Sequence, residues 1–188
     1  MLKKKYIIKV PSNLNYIYCN TLDKLVIIND VETKVLNLNF KLSINKYKNF
    51  FYVTNILTNN VLDKKKFQHL RMLEVSNIRK TLIEILTVLT KKLKLVGVGY
   101  RAFFIKKSNN SYFLQLKLGY SHDIFIKIPN QVKIVCPKPD TIILSGKSSI
   151  HLNKLTNLIR SYKIPDSYKG KGVLYEYEKL NLKIGKRS

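Results

Sequence analysis

Apolar and polar positions along this chain of 188 residues change their period several times. Tyr112, Leu114, Leu116 and Leu118 alternate with Phe113, Gln115 and Lys117, and Ile124, Ile126 and Ile128 alternate with Phe125 and Lys127. A period of two predicts antiparallel strands with one buried face. Asn109-Asn110 is the expected turn between strands at Tyr100–Lys107 and Tyr112–Leu118. Elsewhere the period is helical. Val75, Ile78, Leu82, Ile85, Leu86, Leu89 and Leu93 recur at helix spacing, and so do Leu152, Leu155, Leu158, Ile159 and Tyr162. Both stripes predict core faces packed on a sheet. Ser148 or Ser149 is the expected N-cap of the second helix. That helix must stop near Ile164, because the residue before Pro165 is pushed out of the α region.

A weak repeat joins the two ends of the chain. Ile8-Lys9-Val10-Pro11 resembles Ile126-Lys127-Ile128-Pro129; Leu14 then matches Val132, and Ile17 matches Val135. With one residue deleted, Asp23-Lys24-Leu25 matches Asp140-Thr141-Ile142, and Ile27 matches Leu144. Short apolar runs framed by turn residues read as strands. The expectation is an α+β fold of two tandem modules, each an antiparallel sheet packed against one helix. The boundary is placed at Lys91-Lys92, giving a divergent module 1–91 and a second module 92–188 that carries a basic tail.

Charge narrows the class of partner. Lys and Arg outnumber Asp and Glu by 35 to 11, a net +24, while 45% of residues are hydrophobic. A core can be buried, yet a compact domain of that charge repels itself unless a polyanion accompanies it. From Lys91 onward there are 20 basic and five acidic residues, so the second half is the more cationic. A membrane partner is disfavoured. There is no apolar run of ~18 residues and no basic amphipathic helix with a clean lipid face. Lys9 and Pro11 cut short any signal-peptide core at the N-terminus. Cys19 and Cys136 form no CxxC pair or zinc spacing and read as reduced structural thiols. There is a single alanine, Ala102, while Lys, Asn, Ile and Leu abound. That bias avoids GC-rich codons and suggests an organellar gene. The start at Met1 without a presequence points the same way, to the mitochondrion in preference to the plastid.

Several motifs invite catalytic readings that do not survive. Gly97-Val98-Gly99-Tyr100-Arg101-Ala102 fits a dinucleotide pattern, which needs a helix next; Phe103-Phe104-Ile105 reads as a strand. Gly146-Lys147-Ser148 resembles the end of a P-loop, but Thr141 stands where its first glycine belongs; the following helix N-terminus could still meet a phosphate. His69, His122 and His151 are scattered, and Glu176 and Glu178 read as local charge balance rather than an acid–base couple. No nucleophile–base set, cofactor motif or metal-ligand set emerges, so the expectation is a non-enzyme without cofactor or metal.

The basic positions form the coherent signal. Arg160, Lys163, Lys169, Lys171, Lys179, Lys183, Lys186 and Arg187 are interleaved with Tyr162, Tyr168, Tyr175 and Tyr177. Lysines neutralise phosphates, and aromatic rings stack on splayed bases. In Tyr168-Lys169-Gly170-Lys171-Gly172, glycines without Cβ bulk would let the backbone lie close to a phosphate ribbon. The candidate RNA-binding set is therefore Arg160, Lys163, Tyr168, Lys169, Gly170, Lys171, Gly172, Lys179, Lys183, Lys186 and Arg187.

These segments carry a resemblance. Leu95-Val96-Gly97-Val98-Gly99-Tyr100-Arg101-Ala102, then Leu118-Gly119-Tyr120-Ser121-His122, Ile128-Pro129, Gly146-Lys147, Ile159-Arg160, Pro165 and Tyr168–Val173 occur in an order and spacing similar to those of the uL6 (bacterial-type L6) ribosomal protein family, over about Lys91 to Gly185. Asp123 and Ser167 stand where the family usually has proline. The resemblance implies two α+β domains derived by duplication. It also implies a structural role in the large subunit, with large-subunit rRNA bound mainly through the C-terminal domain. The expected surroundings are the stalk base and sarcin–ricin region, neighbouring ribosomal proteins, and translation GTPases that dock nearby. The alternative of a different class is an extra-ribosomal RNA chaperone or nucleoid protein.

Overall fold

The computed structural model describes residues 6–30, 32–45, 49–54, 61–107 and 111–185, with the backbone alone for 61–64, 107 and 111. The Asn109-Asn110 turn, Lys186 and Arg187 lie outside the described residues. The chain divides into two compact units, Met1–Thr87 and Val88–Ser188. Lys91 and Lys92, where the sequence suggests the boundary, lie inside the first strand of the second unit.

The first unit contains β1 (Ile7–Lys9), β2 (Asn15–Cys19), β3 (Lys24–Ile28), β4 (Thr33–Asn37), β5 (Leu42–Asn45), β6 (Phe50–Val53) and α1 (Val61–Leu86). Its strands form two antiparallel sheets, β1-β6-β5 and β2-β3-β4. Both contribute to one core, with Ile8, Leu42, Phe51 and Val53 from one sheet and Leu25 and Ile27 from the other. Val75, Ile78, Leu82 and Ile85 of α1 join it. Leu89 and Leu93, which continue the helical stripe in the sequence, are not on this helix. Thr87 closes its last turn through its amide and hydroxyl, both donating to Ile83 O at 2.9 Å. The β-branched Thr87, Val88 and Thr90 that follow favour extended backbone.

The second unit contains β7 (Leu89–Val96), β8 (Arg101–Lys107), β9 (Ser111–Lys117), β10 (Ile124–Lys127), β11 (Val132–Lys138), β12 (Thr141–Gly146), α2 (Ser149–Ser161) and β13 (Gly172–Tyr175). Its sheets are β10-β9-β8 and β11-β12-β7-β13, again all antiparallel. Leu152, Leu155 and Ile159 of α2 enter a core with Leu93, Leu114, Leu116, Ile142, Leu144 and Val173. Burying each such side chain contributes roughly 1.5–3 kcal/mol. The α+β class is as expected, but each unit distributes its strands over two sheets rather than one.

The sequence repeat is a structural one, and it is permuted. Ile8 pairs with Phe51 as Ile126 pairs with Leu114, and Leu42 pairs with Val53 as Ala102 pairs with Leu116. Three connecting hydrogen bonds recur. Leu14 N donates to Pro11 O as Val132 N does to Pro129 O, and Val10 N to Asn49 O as Ile128 N to Tyr112 O. Leu38 N donates to Asp23 O at 2.8 Å as Leu95 N does to Asp140 O at 2.7 Å. Strands β1–β3 thus correspond to β10–β12, whereas β4–β6 correspond to β7–β9. The second unit begins half-way through the pattern of the first.

Candidate nucleic-acid interface

After α2 a short loop returns the chain to the sheet. Tyr162 caps the helix in αR conformation, two residues earlier than the Pro165 argument requires. Lys163 N donates to Arg160 O, and Lys163 O accepts from Val173 N at 2.9 Å. One step further in, Asp166 N donates to Lys171 O and Asp166 O accepts from Gly170 N, both at 3.0 Å. The Asp166 carboxylate accepts the amides of Tyr168 at 3.3 Å and Lys169 at 3.1 Å. Those amides, Lys169 first and Tyr168 next, hold the Asp166 carboxyl below its ordinary value. Lys183 N donates to Ser167 O at 2.9 Å, pinning the tail to the loop.

The two glycines act inward, contrary to the role read from the sequence. Both Gly170 and Gly172 are buried. Gly170 turns the chain with φ +67°, a left-handed conformation that suits glycine. A Cβ on Gly172 would lie 2.6 Å from Pro165 Cα and 2.8 Å from Pro165 N. The glycines therefore let the two limbs of the loop touch each other. What faces solvent is Tyr168, Lys169 and Lys171, followed by Lys179 and Lys183. Pro165 and Asp166 are the shaping residues that the basic pattern alone does not single out.

Arg160 and Lys163 have more local duties. The Arg160 guanidinium donates to Glu178 Oε1 at 2.5 Å and lies 5.2 Å from the centre of the Tyr175 ring. Glu178 Oε2 also accepts Tyr175 N at 3.2 Å, and Tyr175 Oη donates to Asn157 Oδ1 at 2.6 Å. Glu176 pairs with Lys92 at 2.5 Å. Each of the two glutamates thus has its own cation, and together they staple the segment after β13 to α2 and β7. Lys163 is half-buried, its ammonium 4.5 Å from the centre of the Tyr120 ring.

The motifs with catalytic overtones have structural explanations. A Cβ on Gly97 would lie 2.7 Å from the Tyr100 ring, and one on Gly119 would lie 3.2 Å from its other edge. Gly97 and Gly119 make room for the same tyrosine, joining the β7–β8 turn to the β9–β10 turn. Strand β8 follows directly, so the helix that a dinucleotide pyrophosphate requires is missing from this position. Ser148 makes no side-chain cap bond; its Oγ meets His151 Nδ1 at 3.0 Å. Asp123 Oδ2 accepts Gln115 Nε2 at 2.6 Å. Cys19 and Cys136 are free thiols. Among the described residues no group of three His, Cys, Asp or Glu could hold a metal ion, and no helix is long and apolar enough to cross a membrane.

Comparison with known proteins bears on the same stretch. The family model for ribosomal protein L6 matches residues 96–176, from the end of β7 to just past β13. The large ribosomal subunit protein uL6 of Malacoplasma penetrans is 35% identical over 131 residues, covering 70% of this chain and 69% of that one. That of Chloroherpeton thalassium is 39% identical over 133 residues, covering 68% and 72%. The chain belongs to the uL6 ribosomal protein family. Membership makes it a structural protein rather than an enzyme. The uL6 protein of Rhodopseudomonas palustris is 46% identical, but over 97 residues, about half of each chain. The family match thus spans most of the second unit and includes the loop after α2.

Proposed function

We propose that this chain is a structural constituent of the large ribosomal subunit and binds large-subunit rRNA mainly through its second unit. The loop after α2 presents Tyr168, Lys169 and Lys171, and the tail adds Lys179 and Lys183, with Lys186 and Arg187 beyond. The observation that carries this reading is a hydrogen-bonded loop in a uL6-family chain whose exposed lysines are cationic and whose acidic neighbours are already engaged. Asp166 is turned onto backbone amides, and Glu176 and Glu178 are held by Lys92 and Arg160. Such a surface suits phosphate and sugar contacts, which position a protein on folded RNA, more than base-edge readout. The same reading places the chain near the stalk base and sarcin–ricin region, beside neighbouring ribosomal proteins and docking translation GTPases. Its composition favours an organellar ribosome, and we assign the mitochondrial one.

The test is the double variant Lys169→Ala/Lys171→Ala, assayed for salt-dependent binding to large-subunit rRNA fragments and for incorporation into large subunits. Each lost phosphate contact lowers the slope of log K against log salt by about 0.7–0.9. The slope should fall by about 1.5, and incorporation should drop. Unchanged slope and unchanged incorporation would overturn the assignment.

A further inference from the structure

The loop's neighbour on the surface is not simply basic. Tyr120, His122, Ile124 and Tyr162 line a hollow of about 360 Å³. That is within the ~300–1,000 Å³ common for small-molecule sites. The Tyr120 and His122 rings stack with centroids 6.1 Å apart and planes 24° from parallel. Tyr120 is held in place, its Oη donating to Tyr162 O at 2.8 Å. Lys163 stands over the Tyr120 ring at 4.5 Å. Three ring side chains, all exposed, therefore converge beside a cation on an apolar floor of Ile124. None of the three rings is needed to fill the core of the second unit.

We infer that this hollow receives one unpaired nucleobase of the RNA, stacked against the Tyr120–His122–Tyr162 rings, with Lys163 beside its phosphate. The inference rests on the RNA-binding reading and adds a contact of a different kind. The lysines of the loop neutralise phosphate wherever it lies, whereas the hollow selects RNA that can put a base out of the helix. Fixing the Tyr120 ring in advance lowers the ordering cost of such a contact.

The probe is a pair of RNA hairpins of equal length and charge, one fully paired and one with a single bulged 2-aminopurine. The protein should bind the bulged hairpin about tenfold more tightly, and the fluorescence of the bulged base should change as it stacks. Tyr120→Leu and His122→Ala should remove the preference and the fluorescence change while leaving the salt slope intact. Tyr120→Phe, which keeps the ring, should retain most of both. Lys169→Ala/Lys171→Ala should weaken both hairpins equally and keep the preference. Equal binding of the two hairpins with no fluorescence change would overturn the base slot while leaving the rRNA reading standing. So would a Tyr120→Leu variant that keeps the preference, as would a hollow blocked by another protein in the assembled particle. Failure to bind either hairpin or any rRNA fragment would instead overturn the broader reading.

Discussion

Gly172→Ala isolates the role of backbone bareness in the loop. The added methyl would lie 2.6 Å from Pro165 Cα, 2.8 Å from Pro165 N and 3.0 Å from the Ile164 carbonyl carbon. All three are backbone atoms, so no side chain can swing away. Pro165 is also fixed, because the next residue donates from Asp166 N to Lys171 O. To reach ordinary contact distance the limbs of the loop must part or that hydrogen bond must break. Overpacking of this kind costs about 1–3 kcal/mol, and a lost hydrogen bond about 1 kcal/mol more. For a unit of roughly 100 residues each kcal/mol lowers Tm by about 4–8 °C. The expected fall is therefore roughly 4–32 °C for the second unit, followed by tyrosine near-UV circular dichroism. Gly185→Ala is the matched control, since a Cβ there meets nothing within 4 Å. If both variants melt within a degree of the parent, the claim that Gly172 serves loop closure is refuted. The sequence reading, a bare backbone kept for phosphate, would then regain its force.

Two further expectations concern the surroundings of the loop, and a third concerns the two thiols. Glu178→Ala removes the partner of Arg160 and the acceptor of Tyr175 N, so it should cost about 1–3 kcal/mol; faster hydrogen exchange at Tyr175 than in Lys179→Ala would show it, and equal exchange would count against it. Asp166 has its carboxyl depressed in the folded chain, so the order it lends is present above the unfolded carboxyl pKa and is lost as pH falls through the lower folded value. Exchange protection at Tyr168 and Lys169 should persist at pH 5 and fade at strongly acid pH, and Asp166→Ala should abolish it at both. Cys19 is the better thiolate, lowered chiefly by its hydrogen bond from Thr21, whereas burial pushes the Cys136 thiol up. A disulfide reagent at pH 8 should therefore modify Cys19 first, and Cys19→Ser should remove the fast phase.

Much of the second unit is legible in the sequence because its strands bury one face cleanly. Leu114, Leu116, Ile126, Ile142 and Leu144 alternate as a half-buried sheet demands, and all are buried. The end of α1 is not legible, because Leu82, Ile85, Leu89 and Leu93 hold a helical spacing across a real break. Leu93 is fully buried on β7, where pairing with β12 and β13 prevails over local periodicity. The repeat is visible only for β1–β3 against β10–β12. Its other half runs in permuted order, and Phe51 and Val53 share little chemistry with Leu114 and Leu116 beyond being apolar.

The candidate site divides along the same line. Exposed lysines are readable as charge, since their role needs only a type and a neighbourhood. The roles of Arg160, Gly170 and Gly172 depend on what lies opposite them in space, namely Glu178, the Asp166 carbonyl and the Pro165 backbone. Residue type leaves those partners open. Tyr120 and His122 sit in a family motif, yet only the fold brings them to Tyr162, 40 residues on from His122 in sequence.

The most direct measurement is a density map of the large ribosomal subunit carrying this chain. The account predicts Lys169 and Lys171 against rRNA phosphate oxygens at about 3 Å, with the tail running on along RNA. A map that shows the loop after α2 facing solvent or protein, with the chain anchored to RNA elsewhere, would contradict it.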